Sequence, residues 1–130
     1  MDVRSILTCV LLPCLLAACA DKPAVMPPAV ALVENARQSG KPVVVEFGAA
    51  TCASCRVMKG VMDKVAQRTQ GRAHVLVLDI IKQEGLIAQY RIQLMPTQVF
   101  FDASGREIQR HMGVLSEAQV LAGLGLAEDS

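Results

Sequence analysis

Residues 42–62 read PVVVEFGAATCASCRVMKGVM. Val43, Val44, Val45 and Phe47 make an almost unbroken apolar run, the pattern of a strand covered on both faces rather than an alternating, half-exposed one. Gly48-Ala49-Ala50-Thr51 is the loop that leaves it. From Cys52 to about Thr69 the apolar residues Val57, Met58, Val61, Met62, Val65 and Ala66 recur at helical spacing, and Gly71 supplies a stop. A buried strand feeding a helix through a short loop is the start of an α/β unit. Two cysteines stand at its junction.

Outward from this unit, Pro28 suits a first helical position. Ala29 to Gln38 follows with Val30, Leu32, Val33 and Ala36 on one face, before Ser39-Gly40. Ala73 to Ile81 (AHVLVLDII) predicts a second buried strand, and a weaker helix follows at about Gln83 to Tyr90. Met95-Pro96-Thr97 opens a strand over Gln98 to Phe101. Asp102-Ala103-Ser104-Gly105 has the composition of a hairpin turn, and a strand returns at about Glu107 to Met112. Ser116 with Gln119 predicts a capping box for a last helix carrying Val120, Leu121 and Leu124. Alternating units closed by a hairpin imply an α/β three-layer sandwich, a mixed four-stranded sheet flanked by helices, over residues 29–130.

The N-terminus reads as an address. Ser5 to Ala20, SILTCVLLPCLLAACA, is uncharged and follows Arg4. It is shorter than the roughly 20 residues of a spanning helix and is broken by Pro13, so a signal peptide over residues 1–18 is the better reading. Leu16-Ala17-Ala18-Cys19 resembles the lipobox of bacterial lipoproteins, in which the cysteine becomes the lipidated N-terminus. Cys19 is then the lipidation site, and two or more acyl chains anchor stably where one does not. Cys9 and Cys14 leave with the signal. Residues 19–28, rich in proline, form a tether reaching on the order of 15 to 25 Å.

Thirteen Lys and Arg against twelve Asp and Glu leave a formal charge of +1 with no basic cluster, and Trp 0, Tyr 1 and Phe 3 offer no stacking platform. Both counts argue against a nucleic-acid partner, and none is expected. A monomer is expected.

The chemistry rests with Cys52-Ala53-Ser54-Cys55. Strand ends in an open α/β sheet are where reactive groups reach solvent, and a helix N-terminus favours thiolate over thiol. The spacing lets a disulfide open and close without unfolding the backbone. A purely structural staple closing so small a loop contributes only about 2 kcal/mol, and a zinc site lacks ligands, since His74 and His111 have no zinc-finger spacing. Both histidines read as surface residues, and Met58 and Met62 as core rather than copper ligands.

From about Pro42 to Leu124 the chain resembles the thioredoxin superfamily, in particular small periplasmic thioredoxin-like lipoproteins. VVVEFGAATCASCRVMKGVM, YRIQLMPTQVFFDASG and MGVLSEAQVL carry the resemblance. It implies a thiol-disulfide oxidoreductase with Cys52 as nucleophile, Cys55 as resolving thiol, and no cofactor or metal beyond the redox-active Cys52–Cys55 disulfide. Glu46 matches the family's buried acid, and a carboxylate among Val43, Val44, Val45 and Phe47 is costly unless it titrates near neutral pH or is paired. Pro96 matches the cis-proline, and Met95 before it offers backbone to substrate as an added strand. Gly113 keeps the groove rim open, and Thr51, Ala53 and Ser54 complete the substrate-facing set. Thr51 replaces the family tryptophan, Ala53-Ser54 its Gly-Pro pair and Gly60 its helix-kinking proline.

Reduction of protein disulfides is expected over oxidation, because Ala53-Ser54 offers no histidine or other donor to stabilise a strongly acidic thiolate. The implied electron donor is a transmembrane thiol-electron carrier or a soluble redox intermediate. The location is the periplasmic side of a bacterial membrane, the outer membrane being favoured because Ala20, not Asp, follows Cys19. The reading of a different class is a non-catalytic module that binds a partner or metal.

Overall fold

The computed structural model describes residues 26–83 and 85–127. The signal peptide, Cys19, the first part of the tether and the last three residues lie outside them. The element order is α1 (Pro28–Arg37), β1 (Val43–Gly48), α2 (Ala53–Thr69), β2 (His74–Asp79), α3 (Leu86–Tyr90), β3 (Thr97–Phe101), β4 (Glu107–Met112) and α4 (Glu117–Gly123). The sheet order is β2-β1-β3-β4, with β1 parallel to β2 and antiparallel to β3, and β3 antiparallel to β4. The parallel pair needs a crossover, which α2 supplies.

Side chains alternate along β1, so one strand feeds two cores. Val43, Val45 and Phe47 join Val33, Leu86, Val99 and Phe101 on the α1/α3 face. Val44 joins Met58, Met62, Val65, Phe100 and Val120 on the α2/α4 face. Every residue of β1 is buried, as its unbroken apolar run predicts. Burying each large side chain contributes roughly 1.5–3 kcal/mol, which orders the layers. The two methionines are fully buried in this core.

Four expectations change in detail. β2 is an edge strand, not a second fully buried one: only β1 flanks it, and Val77 is exposed. The buried stripe of α2 is Cys55, Met58, Met62, Val65 and Thr69, while Val57 and Ala66 face solvent and Val61 is half-buried. A straight helix on one flat sheet buries only one narrow line, so apolar residues a third of a turn away fall outside it. Leu32 of α1 is exposed for the same reason. α3 is shorter than expected, starting at Leu86 after Gly85 with φ of 86°. Gly60 leaves α2 unbroken. α4 begins as expected, with Ser116 and Gln119 forming both bonds of a capping box.

Candidate active site

β1 ends at Gly48, and Ala49 to Thr51 carry the chain to the start of α2. Asp79 at the end of β2 braces this loop, accepting from the backbone N–H of Ala50 at 3.4 Å, Ile81 at 3.0 Å and Lys82 at 3.3 Å. Cys52 is the N-cap of α2, its Sγ accepting from the Cys55 N–H at 3.3 Å. The two cysteines are joined as a disulfide with Cα atoms 5.2 Å apart. Cys55 is 4% exposed, whereas Cys52 is half-buried at the helix tip, so only one of the two sulfurs can meet a large partner. The positive end of the α2 dipole favours negative charge at Cys52 in the reduced state.

Ser54 corrects one expectation. Its Oγ lies 3.2 Å from Cys52 Sγ, so the CxxC interior does supply a side-chain donor. That donor is a neutral hydroxyl, weaker than an imidazolium, so it stabilises a thiolate only modestly. Ser54, Thr51 and Ala53 are all exposed around Cys52.

Phe47 pairs with Thr97 across β1 and β3, and this register sets the preceding Met95-Pro96 beside the end of β1 from which the cysteines emerge. The Met95–Pro96 peptide is cis, Pro96 is buried and Met95 is half-buried. Gly113 donates its N–H to the Pro96 carbonyl at 2.8 Å and has φ of 106°, a conformation that favours glycine. The structure therefore brings Cys52, Cys55, Met95, Pro96 and Gly113 to one end of the sheet. Exposed Leu94 and Val114, neighbours of Met95 and Gly113 in the chain, add apolar surface at that rim.

Glu46 lies below. It is 1% exposed, on the α2 face of β1, and burial pushes its carboxyl up to about 7; the Lys59 ammonium pulls down and the Asp63 carboxylate pushes up. Its proximity to Cys55 is recorded at Gly48. A Cβ there would stand 2.8 Å from Glu46 Oε1, 3.1 Å from Cys55 Cβ and 3.2 Å from Cys55 Sγ. The acid and the inner sulfur thus both border the space that a Cβ at residue 48 would take, and glycine leaves that space open. The space opens into a cavity of about 190 Å³ lined by Glu46, Gly48, Cys55, Lys59, Val77 and Asp79. Lys59 is itself paired with Asp63 at 2.8 Å. A buried acid with an ordinary value near 4.5 raised to neutrality can accept or release a proton at physiological pH.

A larger cavity of about 490 Å³ lies on the other face of the sheet. Two of its arginines are engaged, Arg37 with Glu34 and Arg110 with Glu107. Among the described residues no group of three or more His, Cys, Asp or Glu could hold a metal ion. His74 and His111 are half-buried, on β2 and β4.

The thioredoxin family profile matches residues 30–124. The chain belongs to the thioredoxin family. Similar relatives include a thioredoxin-like protein of Synechocystis, 34% identical over 66% of this chain and 81% of its own length. The thioredoxin of Alicyclobacillus acidocaldarius is 31% identical over 70% of this chain and 86% of its own. Among solved structures, chloroplastic thioredoxin z superposes with a TM-score of 0.66 at 26% identity, covering 77% of this chain and 88% of that one. With its Cys52–Cys55 pair, this thioredoxin-family chain is a thiol-disulfide oxidoreductase acting through that disulfide.

Three features of this thioredoxin site escaped the sequence reading. The sequence marks Gly48 only as loop and Gln98 only as strand, and it does not single out Lys59. Gln98 alone left a signal, a polar residue inside QVFF as Glu46 is inside VVVEF.

Proposed function

We propose that this oxidoreductase reduces protein disulfides on the periplasmic side of a bacterial membrane, as a monomer anchored by lipid on Cys19 through the tether. The observation that carries the exchange chemistry is Glu46 and Cys55 meeting at the open space beside Gly48, while the reductive direction is supported by the uncharged surroundings of Cys52. The Cys52 thiolate attacks a substrate disulfide, forming a mixed disulfide and releasing one substrate thiolate. Glu46 takes the proton of Cys55, whose thiolate then attacks Cys52 Sγ. The Cys52–Cys55 disulfide forms, and the second substrate sulfur leaves as a thiolate that takes up a proton. Two electrons pass to the substrate.

Met95, Pro96 and Gly113 line the groove where substrate backbone lies, flanked by Thr51, Ala53 and Ser54. No charged donor contacts Cys52 among the described bonds, only the Cys55 N–H and the Ser54 hydroxyl, which supports a reductant over a strong oxidant. A tether of roughly 15 to 25 Å on the outer membrane cannot reach an inner-membrane thiol-electron carrier, so a soluble redox intermediate supplies the electrons.

The reduction potential of Cys52/Cys55 tests the direction. A value near about −270 mV fits a reductant, and one near about −120 mV refutes it. Membrane fractionation tests the anchor: Cys19→Ser moves the protein to the soluble fraction, and a wild-type protein already soluble refutes it. Recovery in the inner membrane, trapped through Cys55→Ser as a mixed disulfide with an embedded carrier, refutes the soluble donor.

A further inference from the structure

The α2/α4 face of the sheet is apolar at the Val44–Phe100 pair, which packs among Met58, Met62 and Val65. One pair nearer the active-site end, the cross-strand partners are Glu46 and Gln98, and Gln98 pairs onward with His111 of β4. Gln98 is 0% exposed. Neither its Nε2 nor its Oε1 has a hydrogen-bond partner among the described residues, and Glu46 Oε2 is buried and equally unpartnered. Directly opposed residues hold their Cβ atoms about 4.5–5.5 Å apart, so the two side-chain tips, which make no direct bond in the rotamers shown, come within reach of each other by rotation of either side chain or across one water.

An amide at this place has to be explained. More than about nine in ten buried polar groups are paired, and an unpaired one is disfavoured against an apolar side chain of the same shape. Phe100, two residues on, shows that the same face accepts an apolar residue. What glutamine has, and a leucine or a lysine lacks, is a donor and an acceptor on one group. The neighbouring acid needs both in turn. As a carboxylate it only accepts, and as a carboxylic acid it also donates.

The geometry points to Gln98 as a positioning residue that hydrogen bonds the Glu46 carboxyl in both of its protonation states and so holds it beneath Cys55. Nε2–H serves the carboxylate, and Oε1 serves the acid. The inference rests on the reading of Glu46 as the proton acceptor of Cys55. Other groups face the pair from each packed element. Lys59, Asp63 and Arg56 lie on α2, Asp79 at the end of β2 and His111 on β4, while the β2 partner of Glu46 is the apolar Val77. Lys59 is shared with Asp63, which leaves Gln98 as the neutral partner in direct register with Glu46.

The test replaces the amide by an apolar chain of similar length, Gln98→Met, with Gln98→Leu as a second variant in case the first does not fold. The readout is the titration midpoint of the Glu46 carboxyl, followed by carbon NMR of glutamate-labelled, oxidised protein and assigned by Glu46→Gln. A hydrogen bond to a carboxylate is about twice as strong as one between neutral groups, so losing both moves the midpoint to higher pH, by about half a unit to one unit. Mixed-disulfide resolution at pH 7 then slows roughly two- to five-fold and recovers as pH rises. In a Glu46→Gln background Gln98→Met leaves the pH profile unchanged, and His111→Gln leaves the midpoint difference intact. An unmoved midpoint in a folded variant, or an equal loss of rate at every pH, overturns the proposal. A shifted midpoint together with normal resolution by Glu46→Gln upholds the pairing and refutes the role of Glu46 instead.

Discussion

Replacing Glu46 by glutamine should make the oxidised protein more stable in a pH-dependent way. Burial raises the carboxyl from 4.5 to about 7, with Lys59 opposing the rise and Asp63 adding to it. The folded acid therefore holds its proton more tightly than the unfolded one. The stability linked to that proton is fully present below about pH 4.5, falls between 4.5 and 7, and is gone above the folded value. At about 1.4 kcal/mol per pH unit the full difference is about 3 kcal/mol, a large share of a small domain's stability. Glu46→Gln removes this titration while keeping the shape. Any cost of burying the amide is constant with pH and cancels in the slope. Urea unfolding of both proteins at steps from pH 4.5 to 8.5 measures the effect: the variant gains about 3 kcal/mol on the wild type across that range, or more than about 10 °C in melting temperature. Stability curves that stay parallel, with the gap changing by less than about 1 kcal/mol, refute the claim that burial holds this acid near neutrality.

Ser54→Ala removes the hydroxyl 3.2 Å from Cys52 Sγ. Losing about 1 kcal/mol of thiolate stabilisation makes the potential about 20 mV more negative, and redox equilibration with glutathione would show no change if the contact is idle. Gly48→Ala places a methyl 2.8 Å from Glu46 Oε1 and against Cys55, costing about 1–3 kcal/mol in thermal unfolding and slowing mixed-disulfide resolution. In the reduced protein Cys52 alkylates before Cys55, given its exposure and helix-tip position; mass spectrometry finding Cys55 labelled first at neutral pH reverses their roles.

How far the sequence could be read depended on the range of the interaction. Strand, turn and cap signals act within a few residues, so β4 over Glu107–Met112 and the Ser116–Gln119 box are legible in the chain alone. The unbroken run at Val43–Phe47 announces two-sided burial, and with it the plight of Glu46. The CxxC at a strand-to-helix junction announces the chemistry. The donor role of Ser54 is not legible in the chain, because its rotamer, not its identity, brings the hydroxyl to Cys52.

What the sequence by itself determined is the order of elements, the strand that must be central and the pair of thiols at its end, because period, turn chemistry and spacing are properties of the chain. Only the tertiary structure decided which apolar residues are buried, since Leu32 and Val57 look no different from Val33 and Met58 until the sheet chooses a line on each helix. It alone set β2 at the edge and Gln98 against Glu46, because strand order and register arise from pairings between distant segments. It alone also showed why residue 48 is glycine. The space a Cβ would take is bounded by Glu46 of β1 and Cys55 of α2, two side chains that come within reach of one point only when the helix has docked on the strand.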